Sequence, residues 1–277
     1  MQSVAGRKVM ITGAAMGMGR IYAQLAVQEG AAAVVLWDIN QQELDKTVAD
    51  LKAKGGKVHP YIVDVSSKDA ILAAADKVRR EVGDIEVLFN NAGIVRGKYF
   101  WDHSDADIWL TMAINSLAPM YIARAVLPKM IEGGQECRIV NIASAAGTVA
   151  NPKMSVYCAS KWAALGWSDS IRLELVKAGH GHVKVTTVCP SYISTGMFEG
   201  ARGPLLTPIL TPEHVVNTVW AAMKRGTPLV TLPWTVRFGM FMRVLLPLPL
   251  WDWVAEHIFK VYGSMDDFKG REPGKTS

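Results

Sequence analysis

A short apolar run, Val9-Met10-Ile11-Thr12, opens directly into Gly13-Ala14-Ala15-Met16-Gly17-Met18-Gly19-Arg20, and the apolar residues beyond it, Ile21, Leu25 and Ala26, fall at helical spacing. A buried strand, a glycine-rich turn and a helix in immediate succession leave few folds open. The arrangement brings backbone N–H groups and a helix amino end to one point, where a pyrophosphate can be held. Glycine is needed there wherever φ is positive or a ligand lies against the main chain. The spacing is G-x-x-x-G-x-G, which departs from the commonest dinucleotide fingerprint, G-x-G-x-x-G.

The same alternation then repeats down the chain. Apolar runs stand at Ala33–Trp37, Val58–Val63, Ile85–Phe89, Ile139–Ala143, Val183–Cys189 and Leu229–Leu232. Helical patterns separate them: near Gln42–Lys54, from a Ser66 or Ser67 cap to about Val82, from about Asp105 to Ile131, around Tyr157, and from Thr211, with a cap threonine followed by a first-turn proline. Strands alternating with helices predict an α/β fold, a single-domain Rossmann-type doubly wound parallel sheet of about seven strands with helices on both faces. Residues 1–232 form the dinucleotide-binding and catalytic domain, and 233–277 an apolar C-terminal extension with a frayed polar tail from Ser264. Ligands of such sheets bind at the carboxyl ends of the strands. Gly13, Asp38, Asp64, Asn90 and Ser144 all fall there.

Asp38 lies about 20 residues past the glycine turn, where an acid accepts bonds from both ribose hydroxyls and repels a 2′-phosphate. It therefore favours NAD over NADP, although Arg20 keeps NADP as the lesser alternative. Without a ligand, Asp38 would simply cap the helix from Gln41. A second cluster is Ser155-Val156-Tyr157-Cys158-Ala159-Ser160-Lys161. On a helix, Tyr157 and Lys161 stack one turn apart. An ammonium beside a phenol stabilises the phenolate and draws its pKa down from about 10. Ser144, just past a strand tip, is placed to hold a substrate oxygen while Tyr157 moves its proton. Alone, the Tyr–Lys pair is equally a surface tyrosine and a solvated lysine.

These motifs together resemble the short-chain dehydrogenase/reductase family. The matching residues are Thr12-Gly13-x-x-x-Gly17-x-Gly19, Asn90-Asn91-Ala92-Gly93, Asn115, Ser144, Tyr157-x-x-x-Lys161 and Pro190-x-x-Ile193-x-Thr195, in family order over roughly residues 6–230. The resemblance implies that Gly13, Gly17 and Gly19, with Met16 and Met18 between them, line a cofactor pyrophosphate. It implies that Asp38 and Ile39 meet the adenosine ribose and Asp64 and Val65 flank the adenine. Asn90, Asn91, Ala92 and Gly93 would run along the cofactor, and Pro190, Ile193 and Thr195 would hold its carboxamide end. Asn115, Ser144, Tyr157 and Lys161 would be catalytic, with Lys161 also binding the nicotinamide ribose and Asn115 holding a water that relays protons to it. Ser191 stands where the family usually has glycine.

Three cysteines, Cys137, Cys158 and Cys189, lack metal spacing and read as buried thiols of a reducing compartment. His103, His180, His182 and His214 show no metal spacing either, so no metal is expected. The net charge of +5 is spread along the chain, which argues against nucleic acid. Met1–Lys8 carries no apolar signal region, so the expected location is cytoplasmic.

The extension between Trp234 and Val261 is rich in Phe, Met, Leu and Trp, but Arg237, Arg243, Asp252, Pro247 and Pro249 interrupt it. It is too broken to span a bilayer. Two readings stand: it covers the substrate pocket or an oligomer interface, or it lies peripherally in a membrane surface. Similarity of this tail to lipid-, steroid- and retinoid-handling members of the family is looser. The substrate pocket is expected from Tyr99, Phe100 and Trp101, from Ala145, Ala146 and Tyr192, and from a Gly- and Pro-broken lid at 197–210. The aromatic triplet reads equally as core. No Arg or Lys cluster awaits an anion, which implies a lipophilic alcohol or ketone. The family habit implies a homo-dimer or homo-tetramer.

Overall fold

The computed structural model describes residues 1–270. The sheet has seven parallel strands in the order β3-β2-β1-β4-β5-β6-β7. They are β1 (Lys8–Thr12), β2 (Ala33–Asp38), β3 (Val58–Ile62), β4 (Val87–Asn90), β5 (Cys137–Ile142), β6 (Val183–Pro190) and β7 (Leu229–Leu232). Strand order reverses between β1 and β4, which opens the crevice at their carboxyl ends. Alternate residues divide between the two faces. Val9, Ile11, Val34, Leu36 and Phe89 meet α1 (Gly17–Gln28), α2 (Gln41–Ala53) and α7 (Pro212–Arg225). Met10, Val35, Trp37, Leu88 and Ile139 meet α3 (Lys68–Glu81), α5 (Ala118–Glu132) and α6 (Ser155–Lys177). Each fully buried aliphatic side chain contributes about 1.5–3 kcal/mol, so these two layers dominate stability.

The helix starts follow local chemistry. Asn40, Ser67 and Thr211 accept from the backbone N–H of Glu43, Ala70 and His214. Asn40, and not Asp38, thus caps α2. Ser104 and Asp107 form a reciprocal capping box at α4 (Asp105–Met112).

The expected unbroken helix over 105–131 differs in one respect. Between α4 and α5, Ala113–Leu117 is wound as a π-helix. Such bulges insert a residue and redirect side chains, often at functional sites. The stretch Asp105–Glu132 is long and apolar enough to cross a membrane, but half of its most apolar window is buried inside the fold.

Past β7 the chain forms α8 (Trp234–Leu245), α9 (Leu248–Trp253) and a π-wound turn over Val254–Ile258. Arg243 ties α8 down by donating to the Thr148 carbonyl at 3.0 Å and by lying 4.6 Å over the Trp162 ring. The expected fraying from Ser264 is corrected: Ser264 and Met265 are buried. Main-chain bonds from Arg202 to Ser264, from Leu205 to Phe259 and from Lys269 to Glu199 fasten this strap to the 197–210 segment. The rest of the expected frayed tail, 271–277, lies outside the described residues.

Candidate active site

The glycine turn is built without room for side chains. Gly13 has φ +62°, and a Cβ there would lie 3.0 Å from the Ala92 Cα. A Cβ on Gly19 would lie 2.0 Å from the Gly13 carbonyl oxygen. Thr12 locks the turn to the loop after β4: its Oγ1 accepts from the Asn91 and Ala92 N–H groups at 3.0 Å each. Asn91 returns two bonds, from Nδ2 to the carbonyls of Thr12 and Gly13 at 3.0 and 3.1 Å.

Met16 is the N-cap of α1, Gly17 its first residue, and no side chain caps the helix. Asp38 Oδ2 accepts from the Ala15 N–H and Oδ1 from the Asn40 N–H, both at 2.9 Å. The carboxylate is therefore held beside the turn. Ile39 next to it is exposed. Asp64 accepts from the Ser66 N–H and hydroxyl just past β3, and Val65 packs on the second apolar layer. A glycine cradle, an uncapped helix amino end and a carboxylate at the tip of β2 fit a dinucleotide.

Asn90 takes a different place from its neighbours. It is buried, and its Nδ2 donates to Asn141 Oδ1 at 2.8 Å, inside the sheet layer. Asn91 and Gly93 line the crevice instead.

Tyr157 and Lys161 lie on the first turns of α6, both buried. The Lys161 Nζ is 5.8 Å from the Tyr157 ring centroid and donates to the Ile142 carbonyl at 2.9 Å. Ser144 follows β5; its Oγ accepts from the Ala146 N–H at 3.1 Å. Burial pushes the Tyr157 phenol above its ordinary range, while the Ser144 hydroxyl beside it pulls the other way. The expectation that the ammonium draws the phenol down is corrected: loss of hydration on burial dominates and moves it the other way. Burial also pushes Lys161 down to about 8.

Asn115 sits in the π-wound stretch and is buried. Its Oδ1 accepts from the Ile94 N–H, and its Nδ2 donates to the Ile94 carbonyl, both at 2.9 Å. Nδ2 also donates to Ser160 Oγ at 3.0 Å. Asn115 therefore clamps the loop after β4 to the helix that carries Tyr157 and Lys161.

Two clefts meet at this point. One, of about 470 Å³, is lined by Met18, Asn91, Gly93, Ser144, Tyr157, Lys161, Pro190, Ile193 and Thr195. The other, of about 840 Å³, lies under the C-terminal extension and is lined in part by Ala145, Ala146, Tyr192, Val236, Phe238, Trp251 and Phe259. Ser144, Ser191 and Phe198 belong to both. The Phe198 ring stands edge-on to Tyr157 and Tyr192, at centroid distances of 5.9 and 5.2 Å. Among the described residues no charged side chain lines the larger cleft.

Tyr99, Phe100 and Trp101 are corrected. They are exposed and line neither cleft, and Tyr99 and Trp101 stack on each other at 4.9 Å. The inner face of the extension supplies the aromatic wall instead. Its outer face is apolar and exposed at Phe241, Val244, Leu245, Leu248 and Trp253. Sequence reasoning missed Asn151 and Ser264 in the cleft wall, and nothing in their local sequence signals it. Phe198 carried a faint signal, as an aromatic in a Gly- and Pro-broken segment.

The short chain dehydrogenase family model matches residues 7–204. The chain belongs to the short-chain dehydrogenase family. Epidermal retinol dehydrogenase 2 of Mus musculus is 36% identical over 274 residues, covering 98% of this chain and 88% of that one. Estradiol 17-beta-dehydrogenase 11 of Pongo abelii is 37% identical over 246 residues, covering 89% and 81%. A short-chain dehydrogenase/reductase from Burkholderia phymatum, solved in complex with NAD, superposes with a TM-score of 0.78 at 26% identity, covering 88% of this chain and 96% of that one. This chain is thus an oxidoreductase of the family.

Proposed function

We propose that the protein is an NAD-dependent dehydrogenase of a lipophilic secondary alcohol, working reversibly on the matching ketone. The observation that carries this reading is the seam itself. A buried Tyr157, Ser144 and Lys161 stand where a crevice fit for a dinucleotide meets a cleft without charge. The dinucleotide supplies the site that accepts or gives the hydride. Ser144 holds the substrate oxygen by a hydrogen bond, and Tyr157 takes the hydroxyl proton in oxidation or returns it in reduction. Burial favours the neutral phenol of Tyr157, the form that gives a proton in reduction. Oxidation asks for added positive charge near the ring, and both Lys161 and an oxidised nicotinamide carry it. Asn115 keeps the Ile94 loop and α6 in register behind this centre.

Asp38 supports NAD over NADP, since a 2′-phosphate would meet a carboxylate already fixed at the tip of β2. The relatives named for retinol and estradiol support a lipophilic substrate. The larger cleft is lined mainly by apolar and aromatic side chains, as small-molecule sites are. The exposed outer face of the extension supports peripheral contact with a membrane surface.

Tyr157→Phe tests the mechanism. Turnover of a lipophilic alcohol with NAD, followed by absorbance of the reduced cofactor, should fall at least ~10²-fold. Near-normal turnover in that variant would remove the phenol from the reaction, and a preference for NADP would remove the role given to Asp38.

A further inference from the structure

The buried face of α2 carries Leu44, Val48 and Leu51 against the first apolar layer, with two polar residues among them, Glu43 and Thr47. Glu43 keeps its carboxylate in a pair with Lys46. Thr47 is fully buried, at 0% exposure. A buried hydroxyl is costly unless it is hydrogen-bonded, and a threonine within a helix ordinarily turns to a carbonyl one turn back. Thr47 reaches elsewhere. Its Oγ1 donates to the Ala15 carbonyl at 2.7 Å, 32 positions earlier and in the middle of the glycine turn.

Ala15 is thereby held at both of its main-chain groups. Its N–H donates to Asp38 Oδ2 at 2.9 Å, so the tip of β2 fixes one side of the residue and α2 the other. Ala15 is itself buried. A peptide unit is planar, so the Ala15 carbonyl and the Met16 N–H point in opposite directions. With the carbonyl drawn into the core, the N–H of that unit is turned out of it. Anions at such a turn are held by N–H groups, and a carbonyl oxygen facing them would repel. Without the Thr47 hydroxyl the Ala15 oxygen loses its donor inside the core, and a buried acceptor left so is unfavourable. Its route to a new donor is outward, toward water on the ligand side of the turn.

We propose that Thr47 is a positioning residue for the cofactor. From within the core it keeps a carbonyl out of the anion site, and so sets the affinity for a pyrophosphate. This assignment rests on the dinucleotide reading of the glycine turn given above. It extends the site to α2, an element that carries none of the family motifs.

The test is calorimetric titration of the full chain with ADP-ribose, which has the pyrophosphate, and with adenosine, which lacks it. The quantity read is the ratio of the adenosine Kd to the ADP-ribose Kd, which cancels losses common to both. Thr47→Val keeps the branched shape and removes the hydroxyl. It should lower the ratio on the order of 10-fold, the worth of one well-made hydrogen bond, through weaker ADP-ribose binding with adenosine binding unchanged. Thr47→Ala should do the same, and Thr47→Ser, which keeps the hydroxyl, should hold the wild-type ratio. An unchanged ratio in either hydroxyl-free variant overturns the proposal, as does equal weakening of both ligands, which makes the hydroxyl a structural group only. A lowered ratio in Thr47→Ser overturns it whether or not the hydroxyl-free variants fold. Absence of ADP-ribose and NADH binding in the wild type sinks the dinucleotide reading itself, whereas wild-type binding with an unmoved ratio in the variants sinks the role of Thr47 alone.

Discussion

Lys161 should make the unliganded protein less stable at neutral pH than it would be without the ammonium. The side chain is buried, and its one hydrogen bond among the described residues goes to the Ile142 carbonyl. Loss of hydration holds its pKa at about 8, against 10.5 for a free lysine. Below about pH 8 the group is charged in both folded and unfolded chains, and the folded chain bears the whole penalty. Between about 8 and 10.5 the unfolded chain binds more protons, so stability rises with pH across that window. The gap corresponds to about 3 kcal/mol. Lys161→Met keeps the apolar stem, removes the charge and strands the Ile142 carbonyl at a cost of about 1 kcal/mol. The net expectation is a variant about 2 kcal/mol more stable at pH 7, with the gap closing toward pH 10. Urea unfolding midpoints of both chains at several pH values, without cofactor, read this directly. A variant less stable at pH 7, or a gap that does not shrink as pH rises, would refute the reasoning. The same variant should turn over no alcohol, so the ammonium would be a group kept at the expense of stability.

Gly19→Ala should abolish dinucleotide binding, because its Cβ would need the place of the Gly13 carbonyl; titration with reduced cofactor, followed by fluorescence, checks it. Asn115→Ala removes three hydrogen bonds that join the Ile94 loop to α6, and should cost about 1–3 kcal/mol in urea unfolding together with a loss of turnover. Val244→Asp with Leu248→Asp should release the protein from phospholipid vesicles in a flotation assay with little change in thermal midpoint, since both side chains are exposed; unaltered flotation would remove the membrane contact.

The inner strands were legible because they are largely apolar runs buried on both faces, while the edge strands β3 and β7 are buried only in part. The glycine turn was legible because only glycine tolerates Gly13's φ and Gly19's crowding. Tyr157, Lys161 and Ser144 were legible through spacing and position at a strand end. The aromatic triplet at Tyr99–Trp101 misled because apolar composition does not say which way a loop turns. Ser264 was illegible for a different reason: the hydroxyl's partners, Tyr192 and Asn151, are 72 and 113 positions away. The π-wound turn was equally hidden, since the partners that Asn115 meets there, Ile94 and Ser160, are 21 and 45 positions away.

The main-chain bonds between the 197–210 segment and the strap mean that neither piece is a module. Gly200 deepens the dependence, because Asp267 leaves its α-carbon no space for a substituent. A chimera that transplants the loop alone from a relative would strand backbone donors and collide with the host's own terminus. New specificity in this scaffold must be grafted as a matched pair of segments, and diversification by loop exchange is closed to it.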